Sequence, residues 1–240
     1  MLYFLHKNMG KTLKKLINKV FNSKALFIFV LASLVAASTY LIVRLATGTQ
    51  TNDNYLTALV QCLLGIFLLF LPSIAARRLK TTLSSWMMIA FVIFIYCAIY
   101  LGEVHAFYYR IPHWDTILHF LSGILLGILG YTLISFLNSS QDIPVSLSPV
   151  FVALFIFSFS MALAVLWEIY EFSVDYFFGF NTQSWMLGDG TVLVGRAALT
   201  DTMKDFIAAA IGAAIFSVVG YFAIKRRSGW IEKLSLKRID

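Results

Sequence analysis

The stretch PVFVALFIFSFSMALAVLWEIYEFSVDYFFG, residues 149–179, sets the terms for the whole chain. Its first part is apolar and long enough to enter a bilayer, for which about twenty residues suffice. It then ends in Glu168, Glu171 and Asp175, at the i, i+3, i+7 spacing that puts side chains on one helical face. A carboxylate at the centre of a membrane helix costs about 2.5–3.5 kcal/mol, and less towards the ends. Three acids on one face at the end of a span need something to face.

Composition places the rest of the chain in the same medium. Of its 240 residues, 60% are hydrophobic and 13% are charged, where a soluble domain carries about 25% charged residues. The mean hydropathy is +0.81. The net charge of +7 does not indicate nucleic acid, because no basic patch is interleaved with polar structure. Lys and Arg gathered in cytoplasmic loops produce such a charge on their own. Cys62 and Cys97 fall within apolar runs, without the spacing of a disulfide framework or a zinc site. We read them as small buried apolar residues.

Six segments have the length and composition of spans: about 25–43, 55–75, 83–101, 115–137, 149–176 and 202–224. The expected fold is an all-α, polytopic membrane helix bundle. A basic segment over 1–24 precedes three spans to residue 101. Three further spans over 102–224 carry the acids, and a basic tail follows over 225–240. The N-terminal segment resembles a signal peptide in order, but its apolar run is longer than the usual 7–15 residues and no clear cleavage site closes it. We read it as a retained first span. Residues 1–24 have either a surface amphipathic helix or a solvated basic tail as their reading.

An even number of spans puts both termini on one side. Fifteen of the nineteen Lys and Arg fall on that side; the other side keeps Arg44, Arg110, Arg196 and Lys204. The basic side is expected to be cytoplasmic, in a bacterial inner membrane. Nine of the twelve acids and three of the four histidines then lie at the outer side or outer helix ends. The longest outer loop, about 177–200, contains the turn signal Gly188-Asp189-Gly190.

The acids fall on three helical faces. Asp115 and His119 open the fourth span at i, i+4, on a face that continues through Ser122, Gly123 and Gly127. The face of Glu168, Glu171 and Asp175 runs back to Ala164 and Ser160. Asp201 and Asp205 open the sixth span, on a face that continues through Ala208, Ala209 and Gly212. Small residues mark close helix packing in membranes, so the acids are expected to converge inside the bundle. Six carboxylates and an imidazole cannot stay ionised together without compensation. Arg110, Arg196 and Lys204 are candidate counter-charges. A divalent metal (Mg, Mn, Fe or Zn) suits carboxylate-rich shells with an imidazole, and four-helix di-metal proteins use similar inward sets. The bland alternative, acids complementing helix dipoles, suits Asp115 and Asp201. It does not suit Glu168 with Glu171 at a C-terminal end. Trp114, Trp167, Tyr108, Tyr109 and Tyr170 are read as an interfacial aromatic belt.

The blocks HWDTILHFLSGILLGILGY, WEIYEFSVDYFFGFNTQ and LTDTMKDFIAAAIGAAIFSVVGY resemble the YjdF-like family of bacterial inner-membrane proteins. Their order is also similar to a VanZ-like pattern over residues 100–224: an acid and a His, then Glu, then Arg and Asp before a Gly-containing span. The resemblance implies that Asp115, His119, Glu168, Glu171, Asp175, Asp201 and Asp205 are the family-like polar positions. Ala209 departs from it, since related sequences often carry Asp or Asn there. An envelope setting is the functional implication.

Three functions compete. In a metal-dependent membrane enzyme acting on a lipid-linked or envelope substrate, Asp115, His119, Glu168, Glu171 and Asp175 are the metal ligands. Asp201 and Asp205 act as further ligand or general base, and Arg196 binds an anionic group. In an ion- or proton-coupled transporter the acids carry the ion, but the inner halves of the last three spans are apolar. In a structural or accessory protein the acids pair with Arg110, Arg196 and Lys204.

Overall fold

The computed structural model describes residues 23–48, 53–82, 84–138, 147–187, 190–232, 234 and 237–238. Most of the basic N-terminal segment, most of the 138–148 loop, Gly188, Asp189 and five residues of the C-terminal tail lie outside the described residues. Six helices are long and apolar enough to cross a membrane, as expected. They are α1 (Ser23–Ala46), α2 (Asp53–Arg78), α3 (Ser85–Ile95, continued as a π-helix over Tyr96–Val104), α4 (Trp114–Asn138), α5 (Pro149–Phe178) and α6 (Arg196–Lys225). Short helices occupy Phe107–Arg110 and Gly229–Glu232. A two-residue antiparallel ladder, Thr81–Thr82 (β1) with Lys237–Arg238 (β2), ties the α2–α3 loop to the C-terminal end.

Local chemistry explains the helix ends. Ser148 caps α5 by accepting a hydrogen bond from the Phe151 N–H at 3.2 Å, and Pro149 supplies a preset φ at the first position. Gly179 closes the helix at φ +70, and its N–H reaches the Asp175 carbonyl. The π-helix ends where the His105 N–H reaches the Tyr100 carbonyl, five residues back, at 3.1 Å. The sixth helix begins at Arg196 rather than near residue 202, so Asp201 and Asp205 sit within its first turns instead of opening it.

The bundle has two halves. Helices α1–α3 share a core of Val30, Leu34, Leu41, Cys62, Leu69, Val92 and Ile95. Helices α4–α6 share another of Tyr131, Ile134, Val152, Ile156 and Phe216. The halves meet chiefly through α3, its π-helical end and α4. Both cysteines are free thiols. Outside these cores, Phe29, Phe67, Leu154, Leu166, Ile207 and Val218 are largely exposed. Such a surface suits hydrocarbon rather than water.

The closest packing is between α4 and α6. A Cβ at Gly123 would run into the Ala209 carbonyl oxygen, and one at Gly212 into the Phe120 carbonyl oxygen. Gly127 and Gly130 likewise make room for the rings of Phe216 and Phe159. Ser160 donates to the Gly123 carbonyl at 3.4 Å, and Ser217 to the Ala153 carbonyl at 2.6 Å. Small residues and cross-helix hydroxyls are the usual means of joining helices where lipid removes the hydrophobic drive.

This packing predicts a sharp contrast between two glycines. Gly212→Ala should lower the thermal midpoint of the detergent-solubilised protein, at a cost of about 1–3 kcal/mol for an overpacked contact. At Gly220 an added Cβ meets nothing closer than 3.6 Å. Gly220→Ala should hold or raise the midpoint, since Ala is the better helix former by up to about 1 kcal/mol. Equal midpoints for the two variants would contradict the α4–α6 contact.

Candidate functional site

The three faces do converge, at the end of the bundle where α4 and α6 begin and α5 finishes. One ligand atom each from Asp115, His119 and Asp205 lies within 4.8 Å of the other two. His119 Nε2 is 3.5 Å from Asp115 Oδ1, and His119 Nδ1 is 4.0 Å from Glu168 Oε1. Both imidazole nitrogens therefore look at carboxylates. The gaps are long for hydrogen bonds. They are close to what two ligands of one ion require, since atoms about 2.1 Å from a shared metal stand about 3–3.5 Å apart. Asp205 is 3% exposed and Glu168 5%, while the Asp115 side chain keeps 32% of its surface and opens the group towards the rim.

Not every expected residue joins this group. Asp175 is buried one helical stretch further on, and the following loop uses both of its oxygens. Oδ1 accepts from the Thr182 N–H at 2.8 Å and the Thr182 hydroxyl at 2.6 Å, and Oδ2 accepts from the Gln183 N–H at 2.9 Å. Glu171 accepts from the Trp167 indole at 2.9 Å. Asp201 is half-buried at the rim. Asp115, Glu168, Asp201 and Asp205 are near enough to repel one another. Arg196 is exposed at the start of α6. None of Arg110, Arg196 and Lys204 comes within ion-pair distance of an acid among the described residues, where the ion pairs of the acids are those of His119. The expected counter-charges are thus not in place. Lys204 acts on Asp201 and Asp205 only at longer range.

Several contributors were not anticipated. Gln183 points its amide at Glu168 Oε2 (3.3 Å) and at the Thr202 hydroxyl (3.1 Å), which fastens the loop to α5 and α6. Asn181 holds that loop closed: its amide donates to the Met186 carbonyl at 2.7 Å, and its oxygen accepts from the Met186 N–H at 2.8 Å. Tyr108 lies against Gly102, where an added Cβ would meet the phenol ring. Burial pushes the Tyr108 hydroxyl well above its ordinary pKa, and the negative charge of Glu103, Asp115, Glu171 and Asp205 adds to it. The phenol therefore stays protonated and can donate towards the acids. Trp167 gives its indole N–H to Glu171, and the Tyr108 ring packs on Gly102.

One atom stands out in this setting. Among the described residues Glu168 Oε1 is buried without a hydrogen-bond partner, while Oε2 of the same carboxylate is satisfied by Gln183. The free oxygen is the one aimed at His119.

The chain matches the family described as "Predicted membrane protein (DUF2238)" over residues 15–226. It belongs to that family. The matched range takes in all six spans and every residue of the cluster. No curated protein and no solved structure matches it.

The loop geometry gives a prediction separate from any ligand. Asp175→Ala leaves the N–H groups of Thr182 and Gln183 without their shared acceptor. Hydrogen bonds to a charged group contribute about 1.5–3 kcal/mol. Hydrogen exchange across residues 180–187 should therefore rise by at least about tenfold, and exchange within α1 and α2 should not change. Unaltered protection of the loop would show that Asp175 does not hold it.

Proposed function

We propose that Asp115, His119, Asp205 and Glu168 form a divalent-metal site and that the protein is a membrane-embedded metal-dependent enzyme. The observation that carries this reading is the buried, unpartnered Glu168 Oε1. It points into a group of acids and an imidazole that has no Lys or Arg within ion-pair distance among the described residues. A buried carboxylate without a partner costs several kcal/mol, and a cation held by Asp115, His119 and Asp205 would offset that cost across the imidazole, with Glu168 facing the ring nitrogen that the cation does not use. Carboxylates with one imidazole favour Mn, Fe or Zn, with Mg the hardest alternative.

Such an ion would supply Lewis-acid polarisation of a phosphoryl or acyl oxygen. The chain's own groups would do the rest. Gln183 fixes the Glu168 carboxylate by holding Oε2, in the way that outer-shell partners orient ligands. Asp201, at the rim, is placed to take a proton. Tyr108, held protonated, can donate to an oxygen that gains charge. Glu171 and Asp175, engaged by Trp167 and the 180–187 loop, support the frame. Arg196 is free to meet an anionic substrate group. A lipid-linked or cell-envelope substrate agrees with a cluster at a membrane boundary and with the resemblance to VanZ-like sequences. The distribution of Lys and Arg supports a boundary on the outer side of a bacterial cytoplasmic membrane. A cysteine at the exposed Val194 should then react with an impermeant maleimide in intact cells, and one at Arg226 should not.

Transport fits less well. The α4 and α6 backbones touch directly beneath the cluster, at Gly123 with Ala209 and at Gly212 with Phe120. That contact leaves no gap between these two helices at that level. Pairing of the acids with Arg110, Arg196 and Lys204, the basis of a structural role, does not occur among the described residues.

Elemental analysis of the purified protein after exposure to Mg, Mn, Fe or Zn tests the reading. About one ion per chain is expected. Asp115→Asn, His119→Ala and Asp205→Asn should each lose it. Glu171→Gln should retain it, and Gln183→Ala should weaken retention about 10–100-fold. Retention should also fall as pH is lowered, because the ligands bind in their deprotonated forms. No stoichiometric ion in the parent protein would overturn the proposal.

A further inference from the structure

An open groove of about 400 Å³ runs along the outer surface between α4 and α6. Its walls are Ile117 and Phe120 from α4 and Ile207, Ala208 and Ile211 from α6, with Lys204 at its head. Ile117, Ile207 and Ile211 are each about half exposed, so the groove faces the medium around the bundle. From Lys204 to Ile211 it extends about 10 Å along the helix. Lys204 and the neighbouring Thr116 stand next in sequence to Asp205 and Asp115, so the head of the groove adjoins the cluster.

We propose that this groove seats the acyl chain of a membrane lipid whose phosphate-bearing headgroup is held by Lys204 beside the acid–imidazole cluster. The proposal rests on the metal reading above and gives its substrate a class: a phosphorylated lipid. Its shape supports it, since the walls are apolar along their length with one cation at one end. That is the pattern of an anionic amphiphile. Lys204 is exposed and has no acid within ion-pair distance among the described residues, so its charge is available to a phosphate. A phosphate there would lie between Lys204 and an ion held by Asp115, His119 and Asp205, and the surrounding acids would not repel it unopposed. A partner helix fits less well. Helices pack in membranes through small residues, and three isoleucines line this surface. The volume falls within the range of small-molecule sites and accommodates part of a chain, leaving the remainder in the bilayer.

The test is native mass spectrometry of the full-length protein from mild detergent, after incubation with mixed micelles of dioleoyl phosphatidate and dioleoylglycerol. The two lipids share their chains and differ by the phosphate. The parent should retain about one phosphatidate per chain in preference to dioleoylglycerol. Ile207→Trp and Ile211→Trp, which fill the groove from two places, should lose both lipids. Lys204→Gln should keep lipid but reduce the preference for phosphatidate about fivefold, the expected weight of one Lys at a membrane surface. Metal content is measured on the same samples. Equal phosphatidate retention by the parent and all three variants would overturn the groove and leave the metal reading intact. A parent that holds no phosphatidate would overturn it as well. Lipid retention as expected in a parent without metal would instead overturn the metal reading.

Discussion

The backbone contact between α4 and α6 is the constraint on which the rest of the site depends. Gly123 meets the Ala209 carbonyl and Gly212 meets the Phe120 carbonyl, so the two helix axes approach as closely as main chains allow. Asp115 and His119 lie one to two turns from Gly123 along α4, and Asp205 lies a similar distance from Ala209 along α6. Holding the helices together at that point brings the three side chains together at the end. A side chain at either glycine would separate the helices and draw Asp115 and His119 away from Asp205; one ligand atom of each now lies within 4.8 Å of the other two. Ala209 also belongs to this contact and is 1% exposed.

Much of this was legible in the sequence, for a physical reason. Spans are long apolar runs, and a bilayer allows few other solutions for a backbone that must satisfy its own hydrogen bonds. All six were therefore recognisable, with shifts of a few residues at their ends. The polar faces were legible too, because acids at i, i+4 beside small residues have few explanations within lipid. What periodicity could not supply was the fate of each acid. Glu168 and Asp175 share a face at i, i+7. Asp175 lies just before the Gly179 cap, and the chain turns back at that glycine to place Thr182 and Gln183 on its carboxylate. That return depends on a positive φ and a folded loop, neither of which follows from spacing. Gln183 escaped notice for the same reason.

Tyr108 shows a second limit. The π-helix at Tyr96–Val104 inserts extra residues per turn, so the register of Glu103 cannot be carried forward by a 3.6-residue count. The chain then leaves through Ala106 in a left-handed conformation and re-enters a short helix that turns Tyr108 onto Gly102. A tyrosine at the edge of a span reads as part of an interfacial belt. Here the irregular segment lays its ring on the glycine of the π-helix instead.

Helix position treats the acids of the cluster differently. Asp115, in the first turn of α4, is favoured by the partial positive charge of an amino end, and Asp175, in the last turn of α5, is disfavoured by the carboxyl end. Glu168, Glu171, Asp201 and Asp205 lie beyond those turns. Protein donors answer that cost at Asp175, where two N–H groups and a hydroxyl converge. At Glu171 the Trp167 indole donates. At Glu168 the Gln183 amide reaches one oxygen and leaves the other buried and bare. A scaffold able to supply three donors to one carboxylate is able to supply a fourth to its neighbour. The oxygen it leaves open faces an imidazole already flanked by Asp115 and Asp205. A buried carboxylate oxygen is thereby left beside His119 without a protein donor among the described residues.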